Sequence, residues 1–154
     1  MTTAIAPQLA TGHIGLNVSD LDRSVDFYRR AFGFEQLAAS ADDDEKRWAF
    51  LGANGKLVLT LWQQSGGAFS TETPGLHHLS FQVDTIEHVR SIEALLRELS
   101  VSFAHDGLVA HGEGVASGGI FFVDPDGIRL EIYAPTGAES APAPSGAAPT
   151  CGFF

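Results

Sequence analysis

The chain has 154 residues, 44% hydrophobic and 18% charged, with a formal net charge of −10. That is enough chain for one domain with a substantial core, and the negative charge opposes binding to nucleic acid or an anionic membrane. No apolar run approaches the ~20 residues of a membrane span, residues 1–7 lack the basic start and apolar core of a secretory signal, and the lone Cys151 cannot close an internal disulfide, so a cytoplasmic protein is expected.

The first predicted strand starts at His13, with Ile14, Leu16 and Val18 on an apolar face and His13, Gly15 and Asn17 on a polar one. Ser19 or Asp20 can cap a helix that Gly33 stops, with Leu21, Val25, Tyr28 and Phe32 at helical spacing as its buried stripe. Residues 42–45 form an acidic exposed turn. Residues 48–51 and 57–62 then read as two strands joined by the hairpin turn Asn54-Gly55. A loop over 63–75, with Gly66-Gly67 and Pro74-Gly75, marks a joint between two halves.

The pattern restarts at His78, where Leu79, Phe81 and Val83 alternate with His78, Ser80 and Gln82. Asp84 or Thr85 caps a second helix reaching about Leu99, with Ile86, Val89, Ile92, Leu95, Leu96 and Leu99 on its buried side. Residues 101–104 read as a strand and 105–119 as a loop. A hairpin then runs from Gly119 through the turn Pro125-Asp126-Gly127 to Tyr133, with Arg129, Glu131 and Tyr133 on one face of its return strand. Residues 136–154 are mostly Ala, Pro, Gly, Ser and Thr, a composition that predicts a disordered tail.

Two histidines and one carboxylate, His13, His78 and Glu131, each stand on the polar face of their own strand. These are the ingredients of a two-histidine, one-carboxylate site for a divalent transition ion, with coordination positions left for substrate. Laying His13 on His78 is a shift of 65, and laying Gly55 on Gly127 is a shift of 72. In the second register Leu59 falls on Glu131. A twofold repeat would then offer four ligand positions, three of them filled, with Leu59 at the vacant fourth.

The opening GHIGLNVSDLDRSVDFYRRAFGFE, the closing IFFVDPDGIRLEIY and the repeated β-α-β-β-β unit resemble the vicinal oxygen chelate superfamily over residues 11–135. That superfamily includes glyoxalase I, extradiol dioxygenases, fosfomycin-resistance proteins and metal-free bleomycin-binding proteins. The resemblance implies an α+β fold, two tandem βαβββ modules (about 11–66 and 76–135) making a cupped mixed sheet with helices outside. It also implies metal ligands at His13, His78 and Glu131 and one divalent ion per site, iron(II) or manganese favoured over zinc or nickel. A homodimer is expected, in which His13 of one chain can share an ion with His78 and Glu131 of another.

This chain also departs from the family's patterns. Leu59 stands where glyoxalase I-type enzymes place a proton-carrying Glu, and the strand over 57–64 lacks the catalytic histidine of extradiol dioxygenases. His111 and Tyr133 are the candidate acid/base groups. Asn17, Leu59, Trp62, Ser80 and Arg129 are candidate substrate contacts, with Leu59, Leu61 and Tyr133 suggesting a partly apolar pocket. His77 is expected to project away from His78's face and His105 to be a solvated loop residue. The resulting reading is a metal-dependent lyase, isomerase or extradiol-type dioxygenase acting on a small oxygen-chelating molecule. The alternative is a metal-independent protein that binds a drug-like ligand.

Overall fold

The computed structural model describes residues 6–153. They fall into two compact units, one of residues 6–29 and 33–65, the other of residues 30–32 and 66–153.

The first unit contains β1 (Ile14–Val18), most of α1 (Leu21–Phe32), β2 (Glu35–Ala39), β3 (Trp48–Ala53) and β4 (Lys56–Gln63), with its four strands ordered β1-β4-β3-β2. Asp20 caps α1 by accepting from Arg23 N at 3.1 Å, and Gly33, at φ 68°, stops it by donating its N–H to Arg29 O. Leu16, Val18, Leu21, Tyr28, Leu51, Leu59 and Leu61 are buried. Asn54 and Gly55, at φ 53° and 73°, make the tight turn expected between β3 and β4.

The second unit repeats the order with β5 (Leu79–Gln82), α2 (Ile86–Glu98), β6 (Val109–Ala110), β7 (Gly118–Val123) and β8 (Arg129–Ala134), its strands ordered β5-β8-β7-β6. Thr85 caps α2, and the helix packs on β7 and β8 around Val89, Leu96, Ile120, Phe122, Leu130 and Ile132. At the hairpin turn, Asp124 Oδ1 accepts from the N–H groups of Asp126 and Ile128, which fixes where β8 begins. The chain is thus α+β with two βαβββ modules, each holding a parallel pair (β1 with β4, β5 with β8) in an otherwise antiparallel sheet.

Three expectations change. Residues 101–104 make a single bridge, Phe103 with Phe122, rather than a strand, and the fourth strand is supplied by β6, inside the segment read as loop. The C-terminal segment, expected to be disordered, runs back along β6 and the loop after it, with Ala138 and Thr150 fully buried and Ala110 N bonded to Pro142 O at 2.8 Å.

The third change concerns the repeat register. Ile14 pairs with Leu59 and Gly15 with Thr60, while Leu79 pairs with Leu130 and Ser80 with Glu131. Thr60, not Leu59, is therefore the counterpart of Glu131. The cause is a β-bulge: Leu51 pairs with Leu59 but Gly52 with Leu57, so Val58 is an extra residue that β8 lacks. A count from the hairpin turn passes over that residue and arrives one position early, on the opposite face of the strand.

Candidate functional site

In the second unit, the face of β5 and β8 opposite the helix carries Ser80, Gln82, Glu131 and Tyr133, paired across the parallel ladder as Ser80 with Glu131 and Gln82 with Tyr133. Glu131 is only 3% exposed. Its Oε1 accepts from Ser80 Oγ at 2.8 Å. Its Oε2 is buried and makes no hydrogen bond, facing His111 Nε2 at 3.3 Å, ion-pair range for a protonated ring. A buried carboxylate oxygen without a hydrogen bond is costly.

His111 follows β6 and is held on its other side. Its Nδ1 lies 2.8 Å from Ser117 Oγ, its main-chain N–H donates to Ser117 O, and its carbonyl accepts from Thr150 N. The ring stands 5.1 Å from that of Tyr133 and 6.3 Å from that of Phe121, which pairs with Glu131 across β7 and β8. Two expected acid/base groups are thus brought beside the expected carboxylate ligand. The Tyr133 hydroxyl, however, donates to Gln82 Oε1 at 2.8 Å.

His78 precedes β5 and is partly buried. Burial lowers its pKa from the ordinary imidazole value, an effect opposed by the negative charge of Glu131, so the neutral, metal-competent ring is favoured. Its Nδ1 lies 2.8 Å from Nδ1 of His77, so His77 does not project away as expected. Strand alternation separates the two side chains only inside a strand, and both residues precede β5. Arg129 Nε donates to His77 O at 3.1 Å, bracing this segment. His105 is half-buried, with its Nε2 buried and not hydrogen-bonded and its ring 5.6 Å from that of Phe121, which corrects the expectation of a solvated residue.

In the first unit, His13 is exposed just before β1. Asn17 Oδ1 accepts from Gln64 N at 3.0 Å, so that oxygen supports the end of β4. Thr60 accepts from Trp62 Nε1 at 2.9 Å, and Trp48, Phe50 and Trp62 cluster with ring centroids 4.7 to 6.4 Å apart. Trp48 and Trp62 help line a cavity of about 420 Å³ together with Lys46, Arg47, Gln63 and Gln64. Leu59 is fully buried on the opposite face with Leu61, which removes it from the substrate contacts expected of it. Among the described residues no three His, Cys, Asp or Glu side chains converge closely enough to hold a metal ion. Glu131 Oε2 and His111 Nε2 are nevertheless the donor types a divalent ion takes, and both are buried without a hydrogen bond.

Ser80 and Ser117, which hold Glu131 and His111, carry no distinctive sequence signal, and only the contacts disclose those roles. Thr150 was hidden by its low-complexity surroundings.

A family profile described as Glyoxalase/Bleomycin resistance protein/Dioxygenase superfamily matches residues 10–132. The chain is 28% identical over 135 residues to a catechol-2,3-dioxygenase of Bacillus subtilis (strain 168), covering 86% of this chain and 44% of that protein, so it spans less than half the relative's length. Among solved structures, it is similar to a glyoxylase/bleomycin resistance protein/dioxygenase domain from Frankia sp. EAN1pec, with TM-score 0.71, 26% identity, and coverage of 84% of this chain and 99% of that one. It also shares the fold of the fosfomycin resistance protein FosX from Listeria monocytogenes, complexed with Mn(II) and sulfate, with TM-score 0.61, 24% identity, and coverage of 88% and 98%.

Proposed function

This chain belongs to the Glyoxalase/Bleomycin resistance protein/Dioxygenase superfamily, and within it we propose a metal-dependent enzyme acting on a small organic molecule with neighbouring oxygens. His13, His78 and Glu131 are the proposed ligands of one divalent ion, iron(II) or manganese. The observation that carries the reading is Glu131 Oε2, a buried carboxylate oxygen with no hydrogen bond. Such an atom is stabilised by a cation.

When bound, the ion would supply Lewis acidity and orient the substrate's oxygens. Ser80 occupies Oε1 and so directs Oε2 toward the ligand position. His78, biased toward its neutral form by burial, offers a ring-nitrogen lone pair. His111 is anchored through Nδ1, which leaves Nε2 to take or give a proton at the substrate. Tyr133, its ring 5.1 Å from that of His111, supplies an aromatic wall. The Mn(II) of the FosX structure, a protein alike in fold, supports manganese as one candidate.

We further propose a homodimer in which His13 of one chain joins His78 and Glu131 of a second copy. The test of function is turnover after reconstitution with iron(II) or manganese(II). Oxygen uptake with catechol would assign a dioxygenase, and metal-dependent conversion of another oxygen-chelating compound without oxygen uptake would assign a lyase or isomerase. Ligand binding unaffected by chelator, with no turnover under any metal, would overturn the proposal in favour of a metal-independent binding protein.

A further inference from the structure

The loop that carries His111 has little support of its own. It leaves β6, a strand of two residues at the edge of its sheet, and returns to β7 through Gly112, Gly114 and Val115, the last of them exposed. An edge strand this short leaves backbone groups open on its outer side, and they need a partner.

The C-terminal segment supplies that partner on both sides of His111. Before it, Ala110 N donates to Pro142 O at 2.8 Å and Ala110 O accepts from Thr150 Oγ1 at 2.7 Å. At His111 itself, the carbonyl accepts from Thr150 N at 2.9 Å. Beyond it, Glu113 N donates to Gly146 O and Ala138 N donates to Ala116 O, each at 2.9 Å. Thr150 is fully buried and bonds two consecutive residues, through its hydroxyl and its main-chain N–H. With Ser117 O accepting from His111 N, both main-chain groups of His111 are satisfied, and Ser117 Oγ engages Nδ1. Nε2, facing Glu131, is the ring atom left over.

We infer that the C-terminal segment is a strap that holds His111 against Glu131, and that Thr150 is a positioning residue acting through the 110–111 backbone. The field of the site reaches the strap: burial raises the Cys151 thiol above its ordinary pKa, and the negative charge of Glu131 raises it further. Ala and Gly keep the chain slim enough to lie on β6, Pro restricts its backbone, and the buried Ala138 and Thr150 seat it.

The inference rests on His111 and Glu131 being the working pair of the proposed function, but its test uses metal-free protein, so either idea can fail alone. Amide hydrogen exchange and the imidazole nitrogen resonances of His111 are recorded in the wild-type 154-residue chain, Thr150→Val, Thr150→Ser and Ser117→Ala, together with the reaction rate of the chain's single thiol, Cys151, with an aromatic disulfide reagent. Thr150→Val is expected to speed both His111 amide exchange and Cys151 labelling at least about tenfold and to shift the ring resonances, while β8 amides keep their protection. Thr150→Ser, which keeps the hydroxyl, restores wild-type behaviour. Ser117→Ala shifts the ring resonances with Cys151 labelling unchanged. The inference is overturned by unchanged His111 exchange in Thr150→Val, by equal acceleration throughout β8, or by ring resonances that stay fixed while the loop opens. If Thr150→Val does not fold, Thr150→Ala, which also lacks the hydroxyl that bonds Ala110 O, is read in its place, and unchanged His111 amide exchange in it overturns the inference equally.

Discussion

Thr60 holds, in the first sheet, the register position that Glu131 holds in the second: Gly15 pairs with Thr60 across one parallel pair, and Ser80 with Glu131 across the other. Leu59, one residue earlier, lies buried with Leu16, Val18 and Leu61. Leu59→Glu therefore strands a charge in an apolar layer and is expected to cost about 3–5 kcal/mol, with no rescue by added manganese. Thr60→Val removes only the acceptor of Trp62 Nε1 and is expected to cost about 1 kcal/mol. Thermal melts of the two variants with and without manganese(II) check the order, which would reverse if Leu59 faced the site.

Ser80→Ala tests how Glu131 is aimed. The hydroxyl bonds Oε1 at 2.8 Å, so its removal lets the carboxylate turn and leaves a second buried oxygen unpaired. Loss of such a supporting contact is expected to weaken manganese(II) binding by roughly 10- to 100-fold. Calorimetric titration reads this directly, and wild-type affinity in the variant would show that Ser80 does not orient the ligand.

His78 gives the metal-free protein a pH dependence with a definite sign. Its pKa in the folded chain lies below the ordinary value near 6.5 because burial disfavours the charged ring. The unfolded chain then binds the proton first. The stability held by neutral His78 is complete above about pH 6.5 and is lost as pH falls toward the folded-state value. Melting temperatures across pH 5 to 8 should fall more steeply on the acid side for wild type than for His78→Gln, and identical slopes would count against the partly buried, neutral ring.

The proposed sharing of one ion between two chains makes a complementation test available. His13→Ala and Glu131→Ala chains each lack a ligand, but a dimer containing one of each has a single intact site if ligands come from both chains. Mixed after partial unfolding and refolding, the two variants should regain manganese(II) binding that neither has alone. No recovery, with mixed dimers confirmed by mass spectrometry, would place all three ligands on one chain.

What was legible in the sequence was what local chemistry decides. The Asp20 cap, the Gly33 stop, the Asn54-Gly55 turn and the alternation that puts Glu131 on a polar face all depend on neighbours in the chain, and the structure has each of them. The bulge at Val58 depends on how β3 meets β4, so counting residues from the turn misplaced the vacant position onto Leu59. His111 could be named as a candidate from its side chain, but its place beside Glu131 is set by Ser117 and Thr150. The final segment reads as disordered because composition records few large apolar groups. Its backbone hydrogen bonds to residues 110–116 leave no trace in composition.

The central claim is that Glu131, His78 and His13 hold one divalent ion, and elemental analysis of the reconstituted, desalted protein tests it most directly. Wild type is expected to retain one equivalent of iron or manganese per site, and His13→Ala, His78→Ala and Glu131→Ala are each expected to lose most of it while melting as cooperatively as wild type without metal. Wild type that retains no metal, or three folded variants that all retain it in full, would contradict the account.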